Sequence, residues 1–215
     1  MKFWYCILFF VLLSITGRSQ KPAIPEKGIS LSDFVPSGWS ILKTASVKFN
    51  NDTLTDYVMV LNHNNEDDMP NTNRILLIVY RTNEGYSRSC VSYEAVMCKD
   101  CGGVFGDPFE GIEIKKNVLW VYHYGGSSWR WSYTHKFRYQ NGDWLLIGKT
   151  VHHYHNVENC ESVDEFVGDY KDENLVTGDV MEKIIDEKCN KKESKAKVQP
   201  KPLIRLSEFN QYIKN

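Results

Sequence analysis

The sequence predicts a mainly β protein, with an antiparallel, strongly twisted sheet or open sandwich of about eight to ten strands and little helix. Two observations carry this prediction. Apolar and polar residues alternate with a period of two along most of the chain. Hydrophobic residues make up 42% and aromatic residues 13% of the sequence, a composition typical of a globular chain and too apolar for a disordered one.

The first nineteen residues have the layout of a secretory signal peptide. Lys2 supplies a positive start, residues 3–15 are apolar, and Gly17 and Ser19 are small residues before a predicted cleavage after Ser19. The apolar run is shorter than the roughly 20 residues needed to cross a bilayer, so no permanent membrane anchor is expected. We therefore expect an exported protein, periplasmic or secreted, with an uncleaved anchor as the alternative.

The mature chain divides into four predicted parts. Residues 20–30 contain two prolines and a glycine and are predicted to form an extended leader. Residues 31–189 are predicted to form one β domain. Residues 190–202 are rich in lysine and proline and are predicted to be a linker, and 203–215 form a short appendage whose apolar residues dock on the domain.

Strand signals begin early in the predicted β domain. Residues 55–61 and 75–80 are rich in β-branched, leucine and tyrosine residues, and a polar loop at 62–73 separates them. Helical signals are weak: residues 31–34 fit a short turn, and 180–188 fit either a helix or a strand. We therefore expect the rest of the domain to consist of strands and turns.

The clearest pattern covers residues 118–148 and predicts a three-stranded meander, closed by an Asn-Gly turn at Asn141. The middle strand carries a ring at every second position: Trp129, Trp131, Tyr133, His135, Phe137 and Tyr139. Such a row invites a sugar-binding interpretation. Since one face of a sheet must be buried, an aromatic core is the favoured interpretation.

Three residues near glycine-rich loops are the predicted ligand- or partner-binding residues. Trp129 and Arg130 follow the loop at 125–128 and are expected to be more exposed than the rest of their strand. Asp107 lies in another glycine-rich loop. We expect the loops at 98–107 and 125–130 to form the recognition surface at one sheet edge.

Five cysteines remain after removal of the signal peptide: Cys90, Cys98, Cys101, Cys160 and Cys189. Cysteines outside the cytosol tend to oxidise, and an odd number leaves one over. Cys98 and Cys101 are predicted to form a structural bridge, since turns and not a helix follow them. A pairing with Cys90, a redox motif or a metal site are the alternatives. Cys160 and Cys189 are the predicted second bridge.

Two histidines, His153 and His155, share one side of a predicted strand and could offer imidazoles to zinc or copper. Exposed histidines with adventitious metal affinity are the alternative interpretation. A metal-handling role is therefore carried forward as an alternative function.

Residues 34–42 and 48–61, together with the glycine-rich segments 98–109 and 125–131, are similar to signatures of a known group of proteins. They resemble small exported bacterial proteins of unknown function that contain a loop of the FG-GAP or VCBS type. The resemblance covers roughly residues 31–150. It implies a β fold and export, and it implies no activity.

In FG-GAP-type loops, oxygen ligands at alternate positions bind calcium. The resemblance places Asn50, Asp52 and Asp56 at ligand positions. However, Lys48 stands where the first aspartate is expected, and Thr53 stands where the turn needs glycine. We therefore expect no cofactor, with calcium in a degenerate loop as the alternative.

The sequence lacks the motifs of common catalysts: no Gly-x-Ser-x-Gly, His-Glu-x-x-His, phosphate-binding or dinucleotide motif occurs. The formal charge of −1 gives no basic field for nucleic acid. We therefore expect an exported non-catalytic protein that binds a partner protein or envelope component. A small hydrolase acting on an envelope polymer is the alternative from another class.

Overall fold

A computed structural model describes residues 21–49, 53–65 and 72–211, and within them it contains twelve strands and one 3₁₀ turn, Leu31–Phe34. The strands are β1 (Lys27–Gly28), β2 (Trp39–Val47), β3 (Asp56–His63), β4 (Arg74–Thr82), β5 (Gly85–Val96), β6 (Phe109–Lys115), β7 (Val118–Gly126), β8 (Trp129–Gln140), β9 (Asp143–Cys160), β10 (Glu165–Asn174), β11 (Asp179–Ile185) and β12 (Lys191–Lys197).

The strands form two antiparallel sheets. The smaller sheet has the order β1-β5-β4-β3-β2, and the larger has the order β12-β11-β10-β9-β8-β7-β6. Sequential strands pair from β2 to β5 and from β6 to β12, as expected when short turns join antiparallel neighbours, and β1 pairs with β5 at the edge of the smaller sheet. The prediction of a mainly β, antiparallel fold is confirmed.

The main core lies between the two sheets. Leu76 and Ile78 of β4 pack in one cluster with Val121 of β7 and Phe137 of β8. The opposite face of β4 is also covered, so all of residues 75–79 in this strand are fully buried. A strand buried on both faces reads as a continuous apolar run, which is the pattern of this segment.

The predicted leader is part of the packed fold. Ile24 is buried in the second core, which covers the outer side of the smaller sheet. Strand β1 pairs with β5, and the Tyr93 hydroxyl donates to the Pro22 carbonyl oxygen at 2.7 Å. The segment predicted as an extended leader therefore packs on the domain, where it covers the apolar face of β4.

The predicted linker at 190–202 includes strand β12, which pairs with β11 along seven residues. All seven residues of β12 are exposed, and four of them are lysines. An edge strand with both faces in solvent shows no apolar alternation, and lysines on such a strand discourage pairing with other chains. For these reasons the lysine-rich composition does not distinguish an edge strand from a linker.

The predicted meander at 118–148 is confirmed as β7, β8 and β9. In β8, His135 and Phe137 are buried as an aromatic core requires, and Trp129 is 51% exposed, as its place beside the loop at 125–128 predicts. Tyr139, which is 47% exposed, departs from the predicted core. Tyr139 nevertheless contacts the smaller sheet, since its ring centroid lies 6.3 Å from that of Tyr80 in β4.

Two disulfides join the cysteine pairs predicted from the sequence, Cys98–Cys101 and Cys160–Cys189. Cys90 is buried and unbridged, and burial raises the pKa of its thiol to about 12. Two disulfides indicate an oxidising environment. In this bridged form Cys98 and Cys101 offer no thiolate to a metal ion.

Replacing Cys160 and Cys189 together by serine should lower the free energy of unfolding by about 3 kcal/mol, because the bridge closes a 29-residue separation and restricts the unfolded chain. Urea unfolding of the purified variant measures this loss. The matched control is the Cys98→Ser/Cys101→Ser pair, whose separation of 3 residues predicts a smaller loss. Equal losses in the two double variants would contradict the loop-length argument.

Candidate functional site

The outer side of the larger sheet, which faces away from the core, carries two rows of aromatic rings. Residues Leu119 and Val121 of β7 point into the core, so the residues between them and after them point outward. The first row lies on β7 and comprises Trp120, Tyr122 and Tyr124. The second row lies on β9 and β10 and comprises His152, Tyr154, Phe166 and Tyr170.

Strand β8 separates the two rows and places small hydroxyl residues between them. Thr134 pairs with Tyr122 on one side and with Thr150 of β9 on the other. Ser132 pairs with Tyr124 and with His152. Small residues between rows of large rings produce a shallow groove, which we call the outer groove.

Contacts among the rings hold both sides of the outer groove in place. Trp120 and Tyr122 stack with centroids 6.2 Å apart, and His152 and Tyr154 stack at 4.7 Å. The Tyr124 and Tyr154 hydroxyls lie 3.4 Å apart across β8. Burial raises the pKa of Tyr122 and Tyr154, so both hydroxyls are protonated at neutral pH. The Tyr122 hydroxyl donates to Glu113 Oε2 at 3.1 Å.

Three lysines lie over rings of the outer groove, and each is paired with a carboxylate. Lys136 lies 4.7 Å from the Trp120 centroid and donates to Asp172 at 3.0 Å. Lys115 lies 5.1 Å from the same ring and contacts Glu113 at 2.7 Å. The third pair is Lys183, over Tyr170, with Glu165. This pairing keeps the surface close to neutral and occupies these carboxylates.

The loops at 98–107 and 125–130 meet at one end of the outer groove. Gly103 and Gly126 form a β-bridge, and Gly126 N donates to Gly102 O at 2.8 Å. A Cβ at Gly103 would lie 2.9 Å from the Gly126 carbonyl oxygen, and its φ is +73°. Only glycine fits this close approach without strain. The structure thus brings together the two loops that the sequence singled out.

Arg130 closes this end of the outer groove. Its guanidinium lies 3.7 Å from the Phe105 centroid, and Phe105 is 47% exposed. Arg130 Nη2 donates to the Asn156 side-chain oxygen at 2.8 Å when that amide is oriented to satisfy both of its groups. Arg130 Nη1 is buried and has no partner among the described residues. Arg130 therefore retains an unused hydrogen-bond donor.

Asp107, the third predicted binding residue, is engaged by Arg74. Both carboxylate oxygens accept from the guanidinium, at 2.7 and 2.8 Å, and Asp107 Oδ1 also accepts from Phe109 N. These hydrogen bonds and the charge of Arg74 outweigh desolvation and lower the pKa of Asp107. The carboxylate has a structural partner and does not join Trp129 or Arg130.

The two candidate metal ligands of β9 lie on the inner side of the sheet, with Trp129. His153 Nδ1 lies 3.2 Å from Asp169 Oδ2, and its Nε2 lies 3.3 Å from the Tyr133 hydroxyl. His155 packs against Trp129 with centroids 5.2 Å apart. Hydrogen-bonding partners therefore surround both ring nitrogens of His153, and His155 contacts an indole.

The calcium-type loop is described only in part. Asn50 and Asp52 lie outside the described residues. Asp56 is fully buried and accepts hydrogen bonds from Phe49 N at 2.9 Å and from Arg81 N at 3.0 Å. Both of its carboxylate oxygens are therefore engaged by backbone amides. In the described ranges, no cluster of three or more histidine, cysteine, aspartate or glutamate side chains is arranged to hold a metal ion.

Sequence reasoning missed most of the outer groove. Trp120, Tyr122 and Tyr124 alternate with the core residues of β7, so this strand is aromatic on one face and apolar on the other. A strand with no polar face indicates that both of its faces contact other groups and not only water. The alternation along β7 is visible in the sequence. The rings of β9 and β10, however, can be assigned to the same side of the sheet only from the register in which the strands pair.

Comparison of the chain with family models, curated proteins and solved structures gives no match. In the part of the chain described here, no helix is long and apolar enough to cross a membrane. The chemistry of the residues themselves therefore carries the functional conclusion.

Proposed function

We propose that this chain is an exported, non-catalytic binding protein whose ligand is an envelope polysaccharide held in the outer groove. One observation carries the proposal: two rows of half-buried rings flank a floor of hydroxyl groups on the side of the sheet that faces away from the core. The predicted signal peptide at 1–19 and the two disulfides support export.

The side chains of the outer groove match the two kinds of surface that a sugar presents. The C–H faces of pyranose rings stack on aromatic faces such as those of Trp120 and Tyr154. The sugar hydroxyls find donors and acceptors in Ser132, Thr134 and the tyrosine hydroxyls. The Tyr124–Tyr154 contact closes the groove at one end. Between this contact and Trp120 the open floor spans about two residues, or ~7 Å at ~3.4 Å per residue, which accommodates about one sugar ring of a glycan chain.

Stacking rings and cations also bind single-stranded nucleic acid, but such sites have a positively charged groove. Here the three lysines over the rings are each paired with a carboxylate, and the chain has a formal charge of −1. A ligand without dense negative charge therefore fits better, and a polysaccharide is the occupant proposed.

Replacing Trp120 or Tyr154 by alanine should weaken glycan binding about fivefold, since each change removes a stacking contact worth about 1 kcal/mol. The measurement is a glycan array followed by titration calorimetry with the best oligosaccharide, and sedimentation with insoluble peptidoglycan and chitin. Unchanged melting temperatures of the variants show that the sheet remains folded.

The matched control is Trp129→Ala, which removes an exposed indole from the opposite side of the same sheet and should leave glycan binding unchanged. If Trp129→Ala abolishes binding and Trp120→Ala does not, the ligand lies on the inner side and the assignment to the outer groove is wrong. If the protein retains oligo-dT and no glycan, the ligand class is wrong.

A further inference from the structure

The inner side of the larger sheet is only partly covered. The residues that it contributes to the main core come from β6 to β9, and among the described residues none comes from β10, β11 or β12. Residues 198–204 cross the inner side at the end of β10 and β11 that carries their connecting turn, where Val198 N donates to Gly178 O at 2.8 Å. The inner side is therefore open toward the opposite end of these two strands.

The strand register places neighbouring side chains of β10 and β11 side by side on this open part. Asp169 pairs with His153, which lies on the inner side, and with Ile184. Side chains two positions apart along a strand point to the same side, so the paired residues Lys171 and Glu182 lie there as well.

These side chains, Trp129 and the turn at 186–190 line an open groove of about 860 Å³, which we call the inner groove. Trp129 is 51% exposed and Ile184 is 48% exposed, so an indole and an isoleucine present apolar surface to a ligand. The side chain of Asp169 is 53% exposed, which makes its carboxylate accessible beside them.

The turn that forms one wall of the inner groove is held in place from two directions. The Cys160–Cys189 disulfide joins it to the hairpin between β9 and β10. Within the turn, Asp186 Oδ1 accepts hydrogen bonds from Lys188 N and Asn190 N, both at 2.9 Å. A ligand therefore finds this wall already ordered, which lowers the entropic cost of binding.

The inner groove is acidic. Four carboxylates and two lysines line it: Asp169, Glu182, Asp186, Glu187, Lys171 and Lys188. Lys171 contacts Glu182 at 3.1 Å, so these two charges offset each other. Hydrogen bonds from Asn190 and Lys188 lower the pKa of Asp186, so its carboxylate is ionised at neutral pH. Four carboxylates against two lysines leave two negative charges in the lining.

The margin of the inner groove adds negative charge. Residues 155–168 contain four acidic residues and neither lysine nor arginine. One of the four, Glu165, is paired with lysines. The other three contact no lysine or arginine in the part of the chain that the structure describes: Glu158, Glu161 and Asp164. Lys192, which pairs with Ile184, adds one positive charge on the same side, so the balance stays negative.

We propose that the inner groove binds a basic, amphipathic protein segment in an extended conformation. A lysine or arginine of this segment lies over the Trp129 indole, whose ring attracts a cation, and beside the carboxylates of Asp169 and Glu187. An apolar side chain of the segment packs on Ile184. From β8 to β11 the groove crosses three strand spacings, or about 14 Å, which about four extended residues span.

An open groove suits a chain segment that continues past both of its ends, whereas small-molecule sites bury most of their ligand. The negative charge of the groove selects a basic segment over an acidic one. The inner groove lies on the side of the sheet opposite the outer groove, so this inference does not depend on the polysaccharide proposal.

The experiment uses the mature protein and two capped tetrapeptides with the same apolar content, acetyl-Lys-Leu-Lys-Leu-amide and acetyl-Glu-Leu-Glu-Leu-amide. Titration calorimetry at low salt should show saturable binding of the basic peptide and at least tenfold weaker binding of the acidic one. Added salt should weaken binding of the basic peptide, because exposed charges are screened. Equal affinity for the two peptides, or no heat with the basic peptide at millimolar concentration, would overturn the proposal.

The length of the ligand is tested with acetyl-lysine amide, which carries the cation without the rest of the segment. It should bind at least tenfold more weakly than the basic tetrapeptide. Equal affinity would show a site for a single cation and would contradict the assignment to a protein segment.

Two variants locate the site. Trp129→Ala removes the indole and should weaken binding of the basic peptide at least fivefold, while glycan binding stays unchanged. Asp169→Asn/Glu187→Gln keeps the side-chain shapes, removes two charges and should also weaken binding about fivefold. The matched control is Glu84→Gln, which removes an exposed carboxylate between β4 and β5 and should leave the affinity unchanged. Full affinity in folded Trp129→Ala would place the peptide elsewhere and contradict the assignment.

Discussion

Acidification from pH 7 to pH 5 should lower the free energy of unfolding by about 4 kcal/mol, about 2 kcal/mol for each of two buried histidines. Burial, and after it the charges of His135 and Arg74, lowers the pKa of His123 to about 3 despite the nearby Asp107. Burial and Lys149 lower the pKa of His135 to about 4. Both side chains are more than nine-tenths buried.

The sign follows from proton uptake. A histidine in the unfolded chain titrates near ~6.5, so between that pH and the folded pKa the unfolded state binds more protons. The stabilisation is therefore complete above the unfolded pKa and is lost as the pH falls toward 4 and then 3. The lowered pKa of Asp107 acts in the same direction but below pH ~4, where the unfolded carboxyl titrates.

Urea unfolding at pH 7, 6 and 5 measures this dependence, and NMR titration of the histidine ring protons tests its cause. His135→Phe should remove about half of the difference between pH 7 and pH 5. His152→Gln removes a half-buried histidine whose pKa burial lowers less strongly, so it should remove only a small part. A stability independent of pH over this range, or a His135 midpoint above pH 6, would contradict the prediction.

The substitution Asp107→Ala should destabilise the protein by about 3 to 5 kcal/mol, because it removes a carboxylate that accepts two hydrogen bonds from a buried guanidinium. The side chain of Arg74 is only 2% exposed and donates two hydrogen bonds to Asp107, as well as one to Asn62 at 2.9 Å. The pair ties the loop before β6 to the start of β4, so its loss should also loosen the end of the outer groove at Arg130.

Denaturant unfolding of three variants tests this prediction. Asp100→Ala removes an exposed carboxylate from the same loop and should change stability by no more than about 0.5 kcal/mol. Arg74→Met/Asp107→Ala removes both charges and should recover part of the loss, since no ion is left buried. Equal effects of Asp107→Ala and Asp100→Ala would show that Arg74 does not depend on this partner.

Several features of the fold were predictable because the signal is local. The alternation along 118–148 and its Asn-Gly turn specify the meander, since the side-chain period of a strand and the geometry of a two-residue turn act over a few residues. The Cys98–Cys101 bridge was predictable because three residues cannot place the two sulfurs far apart. The apolar run at 75–79 specifies a buried strand for the same local reason.

The candidate sites depend on contacts between distant segments, and this is why they were not predictable. Arg74 and Asp107 are 33 residues apart, and neither position shows by itself that the other will meet it. Tyr124 and His152 face each other across β8 only because of the register of two strand pairs, which sets which side of the sheet each ring occupies. The sequence favoured a binding surface made of edge loops, whereas these loops form only one end of the outer groove.

The sequence alone predicts an antiparallel β protein with two disulfides and an exposed Trp129. It does so because the alternation of side chains, the turn residues and the cysteines can be recognised within short stretches of chain. Only the tertiary structure decided that aromatic rows from β7, β9 and β10 line the outside of the larger sheet. Their placement depends on strand register, which is set by packing between segments that the linear order keeps apart.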